Sequence, residues 1–222
     1  MRRVSERAYL DRRDAGRVLA DAMLELPDLE DAVVLGLVRG GVPVAFEVAK
    51  ARGLPLDILV VRKLGAPGQE ELAMGAIASG GEVVFNEDVV RSFHVSSKVL
   101  EVMIQHERES IAHLEHVYRE GRTPVRIEGR AVVLVDDGLA TGASMRAGIQ
   151  AVKQRAHSVI VAVPVGARGT CEELAKEVDR FVCTLMPERF DAVSLYYRDF
   201  EPTNDEEVRS LLRENRGAGS RE

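Results

Sequence analysis

Residues 132–145 read VVLVDDGLATGASM, and no other stretch restricts the possible folds as strongly. Four consecutive branched apolar residues at 132–135 lack the polar alternation of a half-exposed strand. They fit a strand buried on both faces of a parallel sheet. Such a strand ends where water begins, and this one ends on two adjacent carboxylates, Asp136 and Asp137. Gly138 and Gly142 mark a short turn, and the small or hydroxyl residues Thr141, Ala143 and Ser144 open a helix predicted over 143–155. The order strand, loop, helix puts the loop at the carboxyl edge of the sheet, where open α/β proteins bind ligands.

The residue types in that loop indicate what it can hold. Backbone N–H groups at a helix start form an anion site, and the helix dipole strengthens it. Thr141 and Ser144 add hydroxyl donors. Paired aspartates repel phosphate, so their partner is something else: sugar hydroxyls, for which they are acceptors, or a hydrated divalent cation. A ligand with a phosphate at one end and a diol in the middle satisfies both halves, and ribose 5-phosphate is the simplest. No G-x-G-x-x-G follows any strand, which argues against a dinucleotide crevice.

Further strand–loop–helix units share the same sheet edge. Residues 32–37 predict a buried strand followed by Arg39-Gly40-Gly41, with Pro43 in the first turn of a helix to 52. Residues 56–61 predict an apolar strand ending in Arg62-Lys63. After it, 64–79 reads LGAPGQEELAMGAIAS, and 73–78 with 82–85 can form a hairpin around Gly80-Gly81. A strand over 158–163, a helix to 178 with Thr170 and Glu173 as its capping box, and a last core strand over 180–185 complete the pattern.

Other segments frame this core. Residues 1–13 are arginine-rich and expected to be irregular, with Asp14 capping a helix through Leu26 that Pro27 stops. Ser96 or Ser97 caps a long helix to about 120. Leu100, Ile104, Ile111, Leu114 and Tyr118 share one face of that helix, so the face packs against something. His106, His113 and His116 fall near the other face with Glu109 and Glu120, an arrangement read as solvated rather than zinc-binding. Residues 190–200 concentrate most of the aromatics, 205–214 predict a final helix, and 215–222 a frayed tail.

Composition closes off several function classes. A chain of 222 residues with 45% hydrophobic content can bury one good core. Its net charge of −6 speaks against a nucleic-acid partner, and no window has the apolar length of a membrane span. The first residues lack a signal-peptide hydrophobic region, and two cysteines, Cys171 and Cys183, make no disulfide framework, so a cytoplasmic location is expected. Cys171 is read as structural.

An apolar strand, two acids, a loop and Thr-Gly-small-Ser resemble the phosphoribosyl diphosphate (PRPP) signature of the type I phosphoribosyltransferases. The resemblance spans roughly 32–185 and implies an α/β core with a central, mostly parallel sheet flanked by helices. A small hood (187–215) and an inserted long helix (96–120) complete one domain over 1–222, with the core at about 14–186. It also implies transfer of a 5-phosphoribosyl group from PRPP to a nitrogenous base, with Mg²⁺ and release of pyrophosphate. Asp136 and Asp137 would hold the ribose 2- and 3-hydroxyls and organise Mg²⁺. Gly138, Leu139, Ala140, Thr141, Gly142, Ala143 and Ser144 would wrap the 5-phosphate. The loop Val38 to Gly41 would bind pyrophosphate through Arg39, Gly40 and Gly41, joined by Lys63, while 64–79 would close over the substrate. Phe190 and Val193 would meet the base.

Catalysis would rest on Asp136, Asp137, Lys63 and Arg39 by position and charge, which needs no nucleophile. The partners implied are PRPP and a nucleobase-like acceptor, with a possible homodimer through the long helix. Ala140 departs from the acid that 6-oxopurine enzymes carry in the signature. LATG, and Arg62-Lys63 before a Pro-Gly loop, resemble adenine enzymes more closely. The hood and long helix resemble bacterial phosphoribosyltransferase-domain proteins of undefined acceptor. The alternative is a non-catalytic PRPP- or nucleotide-binding regulatory protein of the same fold.

Overall fold

The computed structural model describes residues 8–24, 26, 29–66, 69–93 and 95–219. In chain order the elements are α1 (Arg12–Ala22), β1 (Val33–Leu37), α2 (Gly41–Arg52), β2 (Leu56–Leu59), β3 (Val61–Ala66), β4 (Gln69–Ala78) and β5 (Val83–Phe85). They continue with α3 (Glu87–Ser92), α4 (Ser97–Arg119), β6 (Ala131–Val135), α5 (Ala143–Lys153), β7 (Ser158–Val165), α6 (Arg168–Leu174) and β8 (Arg180–Leu185), then a 3₁₀ turn (Val193–Tyr196) and α7 (Asp205–Gly219). No helix among the described residues is long and apolar enough to cross a membrane.

Five strands form an all-parallel sheet in the order β2-β1-β6-β7-β8, as the apolar runs predict. The central strand β6 explains why. Val133 and Val135 point into the core made with α1, α2 and α7, while Val132 and Leu134 point into the core made with α5 and α6. All four are fully buried, each contributing about 1.5–3 kcal/mol. The chain leaves β1 toward β2 and leaves β6 in the opposite direction, toward β7 and β8. That reversal opens a crevice between the carboxyl ends of β1 and β6, which pair at Gly36 and Val135.

A second, antiparallel sheet, β3-β4-β5, packs its alanines Ala76 and Ala78 on Ala147 and Ala151 of α5. The predicted hairpin around Gly80-Gly81 is its β4–β5 turn. One expectation is corrected here. β2 ends at Leu59, so Arg62 and Lys63 do not close a core strand but lie within β3, Lys63 opposite Ala76. The segment read as a closing loop is largely the β3–β4 pair, and its turn at 67–68 lies outside the described residues.

Other boundaries move for local reasons. Asp11, not Asp14, caps α1: it accepts from the Asp14 N–H at 2.7 Å, while Asp14 accepts from the Leu10 N–H at 3.0 Å. The Asp11 cap brings Arg12 and Arg13 into the helix, which ends at Ala22 rather than Leu26. Pro27 lies outside the described residues. Thr170 is not a cap, because α6 starts earlier, at Arg168. Asn204 accepts from the Glu207 N–H at 2.9 Å at the start of α7, which runs on to Gly219 through most of the expected tail.

The long helix α4 spans the predicted residues, capped by Ser96. Ile111 and Tyr118 of its apolar face are buried, with Ile104 and Leu114 packed beside them, so from Ile104 to Tyr118 this face packs within the chain. Its end carries a buried ion pair that sequence reading did not reveal. Arg119 Nε donates to both oxygens of Asp57 at 2.9 and 3.1 Å, with side chains 6% and 1% exposed. Asp57 also accepts from the Ile58 and Val125 N–H groups, and Arg119 reaches Glu115 and the Ile58 carbonyl. A buried pair of this kind is costly to break from one side. Asp57→Ala should therefore lower the unfolding free energy by about 3–5 kcal/mol in urea titration, by stranding the guanidinium. A loss below about 1 kcal/mol would show that water reaches Arg119 freely.

Candidate functional site

The crevice between β1 and β6 is built by two loops that touch. After β1 come Val38, Arg39, Gly40 and Gly41, with a cis peptide bond between Val38 and Arg39. After β6 come Asp136 and Asp137. A Cβ on Gly40 would overlap the Asp137 carboxylate, and one on Gly41 would lie 2.6 Å from the Val135 carbonyl and 2.9 Å from Asp136 Cα. A larger residue at Gly41 would push the loops apart, and one at Gly40 would displace the Asp137 carboxylate. The glycine-rich loop and the acid pair are thus one surface.

Electrostatics single out the two carboxylates. Asp136 accepts from the Asp137 N–H at 2.9 Å. Burial, and then the charge of Asp137, hold its carboxyl well above the ordinary carboxylate range. Burial also raises Asp137, opposed by the Arg12 guanidinium, whose Nε donates to its Oδ2 at 2.8 Å. Two acids with one cation beside them form an electron-rich oxygen site, suited to hydroxyl donors or a hard divalent cation.

The loop that follows opens toward α5. Gly142 caps that helix at φ +76°, and no side chain takes the cap hydrogen bond, which leaves the first-turn N–H groups to an external acceptor. The loop is pinned from outside. Leu139 donates to the Val165 carbonyl and accepts from the Ala167 N–H, both at 2.8 Å, and Thr170 Oγ1 donates to the Ala140 carbonyl at 2.8 Å. Arg146 donates to the Thr141 carbonyl at 3.1 Å and pairs with Glu173 and Glu177. Thr141 and Ala140 are exposed, and Ser144 and Ala143 half-buried at the helix start.

A third wall comes from the two ends of the chain. Tyr9 pairs with Tyr197 as a parallel bridge, and the Tyr9 hydroxyl donates to the Pro164 carbonyl at 2.7 Å. The clip brings Tyr196, Tyr197, Phe190, Val193 and Phe200 into one largely aromatic cluster with Val165 of β7 and Leu185 of β8. Tyr197 donates its hydroxyl to the Asp137 carbonyl at 2.6 Å. Val193 lies over the acid loop, since a Cβ on Gly138 would come 2.5 Å from its Cγ1. Phe190 instead stacks on Tyr196 at 5.7 Å, so its ring is engaged in hood packing.

The predicted residues therefore divide. Gly40, Gly41, Asp136, Asp137, Gly138 and Val193 meet around one crevice. Arg39 is exposed and turns to Asp205 of α7 at 3.5 Å, sharing that carboxylate with the Tyr118 hydroxyl at 2.8 Å. Lys63 is exposed on the second sheet. Sequence reading missed Arg12 and Tyr197. The Asp11-x-x-Asp14 cap would have placed Arg12 in a helix, but its partner lies 125 residues away. The histidines His106, His113 and His116 are exposed, and no group of three His, Cys, Asp or Glu among the described residues could hold a metal. Cys171, read as structural, is buried, and its thiol together with burial raises that of Cys183.

Fold and crevice together define an α/β protein whose acid pair, glycine loop and open helix start converge at the switch point of a parallel sheet. Comparison with known proteins gives that class its family. Residues 8–198 match the model of the phosphoribosyl transferase domain, and the chain belongs to that family. It is 44% identical over 203 residues to "Putative phosphoribosyl transferase Rv0571c" of Mycobacterium tuberculosis, covering 91% of this chain. The chain spans 46% of that relative, about half its length. The crystal structure of TT1426 from Thermus thermophilus superposes with a TM-score of 0.80 at 42% identity, covering 93% of this chain and 98% of that one. A hypothetical protein from Neisseria gonorrhoeae with bound ppGpp shares the fold at a TM-score of 0.50 and 12% identity, covering 96% of this chain and 99% of that one.

The raised carboxyl of Asp136 has a consequence for stability. Unfolded, it titrates near ~3.9. Below that value the folded and unfolded acids are both protonated and nothing is lost. As pH rises through the higher folded value, the charge of this half-buried group beside Asp137 disfavours the fold. Asp136→Asn keeps the oxygen that accepts from Asp137 and removes the charge. Without ligand it should melt at a higher temperature than the wild type at pH 7.5, with the gain shrinking toward pH 4.5. A gain independent of pH would mean that the charge is not the cause.

Proposed function

We propose that this protein transfers the 5-phosphoribosyl group of PRPP to a nitrogenous base and releases pyrophosphate, with Mg²⁺. The observation that carries this reading is the contact of Gly40 and Gly41 with Asp136 and Asp137. It sets a loop with open backbone against a diol-binding acid pair, one step from an anion-binding helix start. Membership of the phosphoribosyl transferase domain family and the naming of the mycobacterial relative support it.

In this reading Asp136 and Asp137 accept hydrogen bonds from the ribose 2- and 3-hydroxyls. The N–H groups of Ala140 to Ser144 and the Thr141 and Ser144 hydroxyls take the 5-phosphate at the start of α5. Gly40 and Gly41 let the backbone approach the pyrophosphate, and Arg39 and Lys63 supply positive charge to it. For Arg39 this means leaving Asp205, an exposed pair held at 3.5 Å that costs little to break. Val193 borders the base. The acid pair, with Arg12 as its neighbouring cation, fits Mg²⁺ held jointly with PRPP oxygens. Bound Mg²⁺ supplies charge neutralisation to the departing pyrophosphate.

The bond from C1 to the pyrophosphate oxygen breaks, and a bond from a ring nitrogen of the base forms, with the base's proton passing to solvent. Because the sugar centre becomes cation-like, the nearby carboxylates stabilise it, and exclusion of water prevents hydrolysis. The protein's part is positioning and charge. With PRPP, Mg²⁺ and a panel of purine and pyrimidine bases, labelled pyrophosphate should appear with at least one base. Release should fall at least about tenfold in Asp136→Asn/Asp137→Asn, since each charged hydrogen bond contributes about 1.5–3 kcal/mol. PRPP binding without pyrophosphate release for any base would favour a regulatory binding protein.

A further inference from the structure

The arginine that meets the acid pair comes from a segment that the signature does not include. Arg12 opens α1, and its side chain is 11% exposed against 16% for Asp137. Three contacts fix it. Nε donates to Asp137 Oδ2 at 2.8 Å, Nη1 donates to the Glu201 carbonyl at 2.7 Å, and the guanidinium lies over the Phe200 ring at 3.8 Å from its centre. An arginine held by a carboxylate, a carbonyl and a ring face has a single orientation, which lysine, a point charge on a flexible stem, cannot reproduce.

Asp137 is fixed in turn from four sides. Arg12 holds its side chain, the Tyr197 hydroxyl holds its main-chain carbonyl, Asp136 accepts from its N–H, and Gly40 closes on its carboxylate without a Cβ to intervene. Tyr197 belongs to the clip between residues 9–10 and 196–199, in which Arg198 and Asp199 donate backbone N–H groups to Tyr9 and Leu10, and Arg12 follows its first segment and reaches Phe200 and Glu201 just beyond its second. Hydrogen bonds from both sides of this junction thus converge on Asp137, one on its carboxylate and one on its main-chain carbonyl.

We propose that Arg12 is a positioning residue for the phosphoribosyl site: it aims the Asp137 carboxylate at the ribose and ties that aim to the closed clip of the chain ends. This inference rests on the reading of the crevice as a PRPP site. In this inference Arg12 acts through Asp137 and needs no contact with the sugar. Its Nε is engaged by Asp137 and its Nη1 by Glu201, so it acts through the carboxylate it holds. Since Oδ2 of Asp137 is held by Arg12, the carboxylate is fixed in orientation, and in this reading Oδ1 is the oxygen left for the ligand. Loss of the guanidinium leaves the Asp137 carboxylate free to rotate away from the position it holds against Gly40.

A double-mutant cycle on Mg·PRPP binding, read by calorimetry in the full chain, separates this role from a purely structural one. Arg12→Met, which keeps apolar volume against Phe200, should weaken Mg·PRPP at least about fivefold. In an Asp137→Asn background the same change should cost less than about twofold, because the carboxylate it aims is already gone. Arg12→Lys, carried through the same cycle, gives the same test if the methionine variant does not fold, and it should also lose affinity in the Asp137 background only. Equal losses with and without Asp137, or no loss in the single variant, would overturn the proposal. If Asp137→Asn alone leaves Mg·PRPP affinity unchanged, the PRPP reading itself fails, and Arg12 falls with it.

Discussion

Two carboxylates side by side at the end of a fully buried strand carry an electrostatic cost that the rest of the site is arranged to offset. Asp136 and Asp137 follow four residues with no exposure at all, so they begin where the hydrophobic sheet stops. Burial raises both, and the charge of Asp137 raises Asp136 further. One cation, Arg12, and one backbone N–H answer part of that cost. In the proposed reading the remainder is met by the ribose hydroxyls and a divalent cation. Sites that bind by charge commonly hold such unanswered electrostatic demand.

The geometry around the pair follows from close approach. Because Gly40 and Gly41 lack side chains, the loop after β1 lies directly on the loop after β6, and the sheet reversal puts both at one crevice. The hood completes the enclosure through Tyr197 and Val193 and is itself held by a backbone clip to residues 9–10. The site thus depends on the start, middle and end of the chain at once, although its chemistry is concentrated around the acid pair and the glycine loop.

What the sequence discloses is what depends on local pattern. The run 132–145 shows strand, acids, glycines and helix start in the order in which the fold uses them, and 33–37 with Arg39-Gly40-Gly41 does the same for the facing loop. Long-range pairings leave no such trace. Arg12 with Asp137, Arg119 with Asp57 and Tyr9 with Tyr197 each join residues far apart, and nothing in the spacing of an arginine names its acid. Lys63 lies on a second sheet because the strand stops at Leu59 and a new one starts at Val61, a change that an unbroken apolar run conceals. The Asp11 cap is different in kind: it is a local signal, and it moves Arg12 from an irregular lead into the helix beside the site.

The central claim is that the acid pair takes the ribose diol while the helix start takes the 5-phosphate. A crystal structure of the protein with Mg²⁺ and PRPP tests this directly. The account predicts ribose 2- and 3-hydroxyls within hydrogen-bond distance of Asp136 and Asp137, the 5-phosphate on the N–H groups of Ala140 to Ser144, and Arg12 still on Asp137. Density for the phosphate at the acid pair, or for PRPP outside the β1–β6 crevice, would contradict it.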